Sequence, residues 1–351
     1  MIHQNNFASL RIFAALLVVV SHSWALSGNH PELIVALTSG HVSGGSLGVM
    51  MFFSMSGFLV TESYLRTQST LAFLEARMLR LFPALAACLV VGILIGAIVT
   101  KLPANEFWSN SNTWLYFVKN MLLDLRFDLP GVFEKNPMPK AVNGSLWTLP
   151  AELLMYCMIA VLGTLAIMRS HAATSALLLT AIASLYFMPE SVRRLPFSPP
   201  TELAINMQAF MVGMLFQLNK ERMTWGLPWV AALCVLAVLK AHRPGMGPFV
   251  VMLAISYTTI WFALAAPVRL YRADAWGDPS YGLYVYAFPI QQWIAQTNIG
   301  IGPYKMAALS IVITTPIAYI SWWVIEKRAL ARKGKLFRSV AAKQSLAVTA
   351  T

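Results

Sequence analysis

Five ionisable side chains sit in or beside runs that are otherwise apolar, and their types suit acyl or proton transfer. Arg11 and His22 close the stretch "RIFAALLVVVSH", in which nine of the ten residues between them are apolar. Eleven residues is almost three helical turns, so the two share one helix face, about 16 Å apart along the axis. Glu152 stands in "NGSLWTLPAELLMY", and Arg77 and Arg80 stand in "EARMLRLFPAL". An imidazole titrates near neutral pH and serves as a general base, and a carboxylate beside it fixes its tautomer and supports its cation. Two arginines three residues apart are neighbours on a helix and suit a phosphate ligand.

Each has a plainer reading. Arg11 and His22 can snorkel to opposite interfaces, Glu152 and His22 can form a structural ion pair, and Arg77 and Arg80 can simply mark the cytoplasmic edge. An ionisable group inside a span costs about 2.5–3.5 kcal/mol on insertion scales, which favours a partner and a task. Counting the Glu152 helix from Leu146 puts the carboxylate about 9 Å from the outer end of its span, a depth like that of His22. The expectation is that these two pair.

The elements that carry these residues are membrane helices. Of 351 residues, 58% are hydrophobic and 11% charged, with a mean hydropathy of +0.63. Apolar runs near 20 residues recur along the chain, and the shorter alternating strands of an outer-membrane barrel do not appear. The expected fold is all-α: a polytopic bundle of about ten spans, near 7–27, 45–65, 79–100, 146–169, 172–188, 203–219, 225–240, 247–266, 281–299 and 304–326, with no soluble domain. Residues 1–330 form the transmembrane domain and 331–351 a basic tail. Trp114–Leu125, interrupted by Lys119 and Asn120, reads as an interfacial or re-entrant segment.

The net charge of +12 is assigned to basic cytoplasmic loops and anionic lipid headgroups, not nucleic acid. With the N-terminus inside, sixteen of the 26 Lys and Arg residues fall on inside segments. The positive-inside rule then places both termini in the cytoplasm, the 28–44 and 101–145 segments outside, and the 66–78 segment inside. Cys88, Cys157 and Cys234 have no metal-binding spacing and read as packing residues. No metal is expected.

Taken together the motifs resemble the acyltransferase-3 family of integral-membrane O-acyltransferases. The arginine–histidine run matches its first-helix signature, "FFSMSGF" (52–58) its FFxxSG element and "RMLR" (77–80) its RxxR element. "SLWTLPAELLMY" matches its W-S-L-x-x-E-x-x-x-Y element, with Thr148 in place of serine. "PSYGLYVYAFPIQQ" (279–292) matches the late S-Y-x-x-Y element, and "VIEKRAL" its closing stretch without the proline. Many members have a histidine where this chain has Ala287, which puts more weight on His22.

The resemblance implies an acyl-CoA co-substrate, usually acetyl-CoA, with no permanently bound cofactor. It implies a hydroxyl acceptor on a surface or lipid-linked glycan, at the bacterial inner membrane. On that reading Arg11, Arg77 and Arg80 hold the CoA phosphates, and Phe52, Phe53, Ser56 and Gly57 line the donor's path. His22 is the base, oriented by Glu152, and Trp147, Tyr281 and Gln291 are acceptor or oxyanion candidates. Two rivals stay open: a proton-coupled transporter using the same charges as a relay, and a non-catalytic partner in a glycan-export complex.

Overall fold

The computed structural model describes residues 5–28, 32–188, 200–243, 246–268, 270 and 275–334. The described residues are mostly helical, with no strand among them. The helices are α1 Phe7–Ser27, α2 Leu33–Leu37, α3 Gly44–Thr67, α4 Thr70–Val99, α5 Ala104–Ser109, α6 Ser111–Met121, α7 Leu149–Thr164, α8 His171–Tyr186, α9 Thr201–Leu218, α10 Leu227–Lys240, α11 Met246–Leu264, α12 Ser280–Thr297, α13 Pro303–Ser321 and α14 Lys327–Leu330. Each expected span falls on a helix. Among the described residues six helical segments are long and apolar enough to cross a membrane, by length and composition: those at 7–27, 44–67, 70–99, 144–164, 246–264 and 303–330. The helices at 171–186 and 227–240 are shorter, so a count of ten crossings does not follow. The tail beyond Gly334, His3 and His30, and the basic residues Arg193, Arg194, Arg269 and Arg272 lie outside the described residues.

The centre of the bundle is α3, packed on α1, α9 and α11. Small residues let it be approached. A Cβ on Gly57 would overlap the carbonyl of Phe210 in α9, and one on Gly213 would overlap that of Ser54. Gly57 was an expected donor contact; the structure assigns it to this crossing, where two backbones meet with no room for a ligand. Gly48 makes the same close approach to Ala14 of α1.

Two elements differ from expectation in ways that move the site. First, α4 begins at Thr70, capped by Ser69, not near 79, so Arg77 and Arg80 share a helix face, as their spacing implies, but lie two to three turns inside the helix rather than at its end. Second, the chain before α7 does not stay at the outer surface. It sinks into the bundle, with Val142, Asn143 and Leu146 at 0–1% exposure, and ends in a 3₁₀ turn, Gly144–Thr148.

Proline chemistry anchors this descent. Pro289 in α12 has no N–H for the carbonyl four residues earlier, that of Val285. That carbonyl accepts from Asn143 Nδ2 at 2.9 Å and from Cys88 Sγ at 3.1 Å instead. Gln292 donates to the carbonyls of Met138 and Ala141 at 2.7 Å each, and accepts from Asn136. Non-helical backbone at membrane depth is tolerated where protein satisfies it, as here. Of the three cysteines only Cys88 packs in the interior; Cys157 and Cys234 are exposed.

The interfacial reading of Trp114–Leu125 corresponds to α6. Its Asn120 turns inward to the carbonyls of Tyr116 and Arg126, while Trp114, Val118 and Leu122 stay exposed.

Candidate functional site

Four segments bring charge to one end of the bundle, the last being the turn that carries Glu326. Arg11 comes from the second turn of α1, Arg80 from α4, and Asp278 from the residues just before α12. Asp278 Oδ2 lies 3.2 Å from Arg11 Nη2 and 3.0 Å from Arg80 Nη2. Arg80 Nη1 is 3.2 Å from Glu326 Oε2, and Glu326 also accepts from Ser321. Glu326 is 1% exposed because a single π turn, Trp322–Glu326, interrupts the last long helix and rotates it inward. Ser280 caps Asp278 through both its amide and its hydroxyl. Burial by itself would raise the Asp278 carboxyl, but Arg11 and Arg80, with Ser280, hold it at about 2. Arg80 is further enclosed by the rings of Tyr281 and Trp322, at 5.8 and 5.6 Å.

Two arginines and two carboxylates thus balance one another. Neither Asp278 nor Glu326 was singled out from the sequence. The available signal was their place at the edges of the late and closing motifs, as acids next to apolar runs.

Arg77 is different. It has no ion pair among the described residues; its guanidinium lies 5.8 Å from the Phe73 ring and 5.9 Å from that of Tyr156, and its Nε is buried without a partner. It lines a cavity of about 130 Å³ together with Arg11, Arg80, Phe52, Phe53, Ser56, Glu152, Tyr156, Tyr281 and Tyr284.

His22 does not line that cavity. It faces a second one of about 910 Å³, with Ser21, His41, Trp147, Glu202, Asn206, Gln208 and Tyr284. This cavity gathers the end of α1, the starts of α3, α9 and α11, and the end of α8, so it lies toward the bundle end that carries the 28–44 segment. The ring of His22 meets Phe288 edge-on at 5.3 Å. Three residues along α12, Gln291 donates to the carbonyl of Val19 at 2.8 Å and to Ser23 Oγ at 2.9 Å. These contacts pin the turn of α1 that carries His22.

The expected His22–Glu152 pair is absent: no hydrogen bond or ion pair joins them. Glu152 accepts from Tyr156 instead and lines the smaller cavity. Glu152 lies away from His22 because α7 starts inside the bundle. Asn143 is level with Val285, only five residues into α12 from the arginine end. Gln291 is likewise a stitch between α12 and α1, lining neither cavity. Tyr281 lines the arginine cavity and donates to the carbonyl of Leu81 at 3.2 Å, whereas Trp147 does lie in the His22 cavity.

The two cavities share Val49 and Tyr284. The Tyr284 hydroxyl is held by Thr148 Oγ1 at 2.8 Å and donates to the carbonyl of Ser145 at 2.9 Å. Tyr284 and Val49 therefore stand where a narrow cavity lined by three arginines meets a wide one with a histidine in its wall.

The arrangement can be set beside known proteins. A family model described as an acyltransferase domain, that of the acyltransferase-3 family, matches residues 5–327. An O-acetyl transferase of Shigella phage Sf6 is 30% identical over 342 residues, covering 94% of this chain and 97% of the relative. Nodulation protein 10 of Rhizobium leguminosarum bv. viciae is 28% identical over 371 residues, covering 95% of each. No solved structure gives a significant match. From its motifs, its helices and this match over nearly its whole length, the chain belongs to the acyltransferase-3 family and is a multi-pass membrane O-acyltransferase.

Proposed function

We propose that the chain transfers an acetyl group from cytoplasmic acetyl-CoA to a hydroxyl of a surface or lipid-linked glycan, at the outer side of the bacterial inner membrane, with His22 as general base. The observation that carries this reading is the pair of cavities meeting at Val49 and Tyr284. The narrow one is smaller than the 300–1,000 Å³ usual for a small-molecule pocket, so it suits a thin extended arm, with the nucleotide outside it. Arg77, the arginine without a carboxylate partner, is the strongest candidate to meet a donor phosphate. The acceptor enters the wide cavity from the opposite end.

In the reaction the acceptor oxygen attacks the thioester carbonyl carbon as His22 takes the hydroxyl proton. The carbon–sulfur bond then breaks, the new ester stays on the acceptor, and the proton passes from imidazolium to the departing CoA sulfur. Glu152 has no part in orienting the base. Phe288 and the Gln291 stitch fix the position of the imidazole.

The test is transfer of label from acetyl-CoA by purified chain in lipid, comparing wild type with His22→Ala and His22→Gln. Loss of transfer with CoA binding retained supports the reading. Near-normal transfer by either variant would place the base elsewhere. The orientation is tested by Val35→Cys, which should react with an impermeant thiol reagent added outside the cell; labelling only from the cytoplasmic side would reverse the donor and acceptor ends.

A further inference from the structure

We infer that Asn206 is the acceptor-positioning residue of the wide cavity, and that the group it recognises is a hydroxyl of a sugar ring. The inference rests on the function proposed above and names the wall that holds the acceptor.

Asn206 lies in the second turn of α9. It is 3% exposed, and it lines the cavity that contains His22. Its Oδ1 is buried with no hydrogen-bond partner among the described residues. Three polar neighbours on the same wall are engaged within the protein. Gln208 donates to the carbonyl of Ile182 at 3.0 Å, the Tyr284 hydroxyl is held by Thr148 and Ser145, and His41 Nδ1 is 2.8 Å from the carbonyl of Thr38. A buried amide inside an apolar helix is costly unless something satisfies it.

The surroundings indicate what that partner is. An amide offers a donor and an acceptor side by side, and so does a hydroxyl. Glu202, one turn earlier on the same face and exposed, brings an acceptor about 6 Å along the helix toward the mouth. The indole of Trp147 and the rings of Tyr186, Phe249 and Tyr284 complete the lining. Flat apolar faces interleaved with hydroxyl-binding groups fit a ring with apolar C–H faces and several hydroxyls, whereas a lipid tail would leave Asn206 unsatisfied. Close packing of α9 on α3 at Gly213 and Gly57 fixes where Asn206 stands in the bundle.

The experiment uses the full chain in detergent, labelled acetyl-CoA, and a panel of octyl glycosides of common hexoses, deoxyhexoses and amino sugars. Asn206→Leu keeps the side-chain size and removes both polar atoms, and Asn206→Ser is the milder alternative if the leucine variant does not fold. The expected result is a rise of about three- to tenfold in the acceptor KM. The acetyl-CoA KM and the thermal midpoint should not fall. Unchanged acceptor KM in a folded variant overturns the inference and leaves the proposed function standing. So does a loss of kcat and stability with both KM values unmoved, which marks a structural amide. A wild-type chain that binds acetyl-CoA yet labels no glycoside overturns the sugar assignment. A chain that does not bind acetyl-CoA overturns the proposed function and this inference together.

Discussion

The two cavities solve opposite problems. The narrow one concentrates charge: three arginines face it, and two are compensated by Asp278 and Glu326. The wide one is about seven times larger, and no arginine or lysine among the described residues lines it. Charges drawn into an apolar bundle hold together only where each meets an opposite charge at close range. The helices at that end are therefore tied to one another, and the space left is small. Where the lining is largely aromatic and polar, with Glu202 at its edge, no such network ties the helices, and their ends can stand apart around an open chamber. The difference suggests a division of labour, with a rigid cationic end for an anionic donor and a roomy end for a bulkier uncharged acceptor.

The largest expected effect tests whether the chemistry belongs to the wide chamber. His22→Ala should lower acetyl transfer by roughly 10²–10⁴-fold, the usual worth of a general base, while CoA binding in the purified variant stays within error. Loss of donor binding alongside activity would merge the two chambers into one functional unit.

The next tests whether the charge network is scaffold. Glu326→Gln leaves Arg80, whose side chain is 22% exposed, with Asp278 as its one remaining ion-pair partner, and should cost about 3 kcal/mol, read as a lower thermal midpoint in detergent. The Asp278 carboxyl is held below its unfolded value of about 3.9. Its contribution to stability is therefore complete above that value and is lost as the pH falls from about 4 toward 2. The thermal midpoint should be flat from about pH 5 upward with respect to this group, and Asp278→Asn should remove the acid-side fall assigned to it.

Arg77 sharpens the comparison from the donor side. Removing a charge-assisted contact worth about 1.5–3 kcal/mol should raise the acetyl-CoA KM by about 10- to 100-fold in Arg77→Ala, with little change in the thermal midpoint. Arg11→Ala and Arg80→Ala should instead lower stability, because each leaves a carboxylate short of a partner. Equal effects on KM from all three would mean that the network opens to receive the donor.

The smallest effect belongs to the partition. Tyr284→Phe removes the hydroxyl shared by Thr148 and Ser145, at a cost of about 1 kcal/mol. It should loosen the wall between the chambers, read as faster acetyl-CoA hydrolysis without acceptor. Unchanged hydrolysis would mean that Val49 and the packing around it close the passage by themselves.

How much of this could be read without coordinates depends on the range of the interactions. Helix positions follow from hydropathy, because each apolar run needs only its own composition to be a helix in lipid. The placement of Arg11 and His22 on one face, and of Arg77 beside Arg80, follows from helical period alone. The place of His22 within the first helix, and the family itself, were legible from motifs that lie within single helices.

What could not be read depends on where one helix begins relative to another. Glu152 was assigned to His22 by counting from an assumed outer boundary. The real boundary is set by Pro289, which exposes the Val285 carbonyl, and by Asn143 and Gln292, which draw the preceding segment inward. Those partners are 142 and about 150 residues apart in the chain, and no local pattern links them. Asp278 and Glu326 were visible as letters, but their roles arise only when α1, α4, α12 and the π turn after α13 converge. Asn206 looks like an ordinary polar residue in an apolar helix until the surrounding wall shows that its Oδ1 has no hydrogen-bond partner among the described residues. Local periodicity and hydropathy determined the helices and the faces they present. Depth, pairing and the division into two chambers were decided by contacts between distant segments, because the energy of a buried charge or amide depends on which partner reaches it.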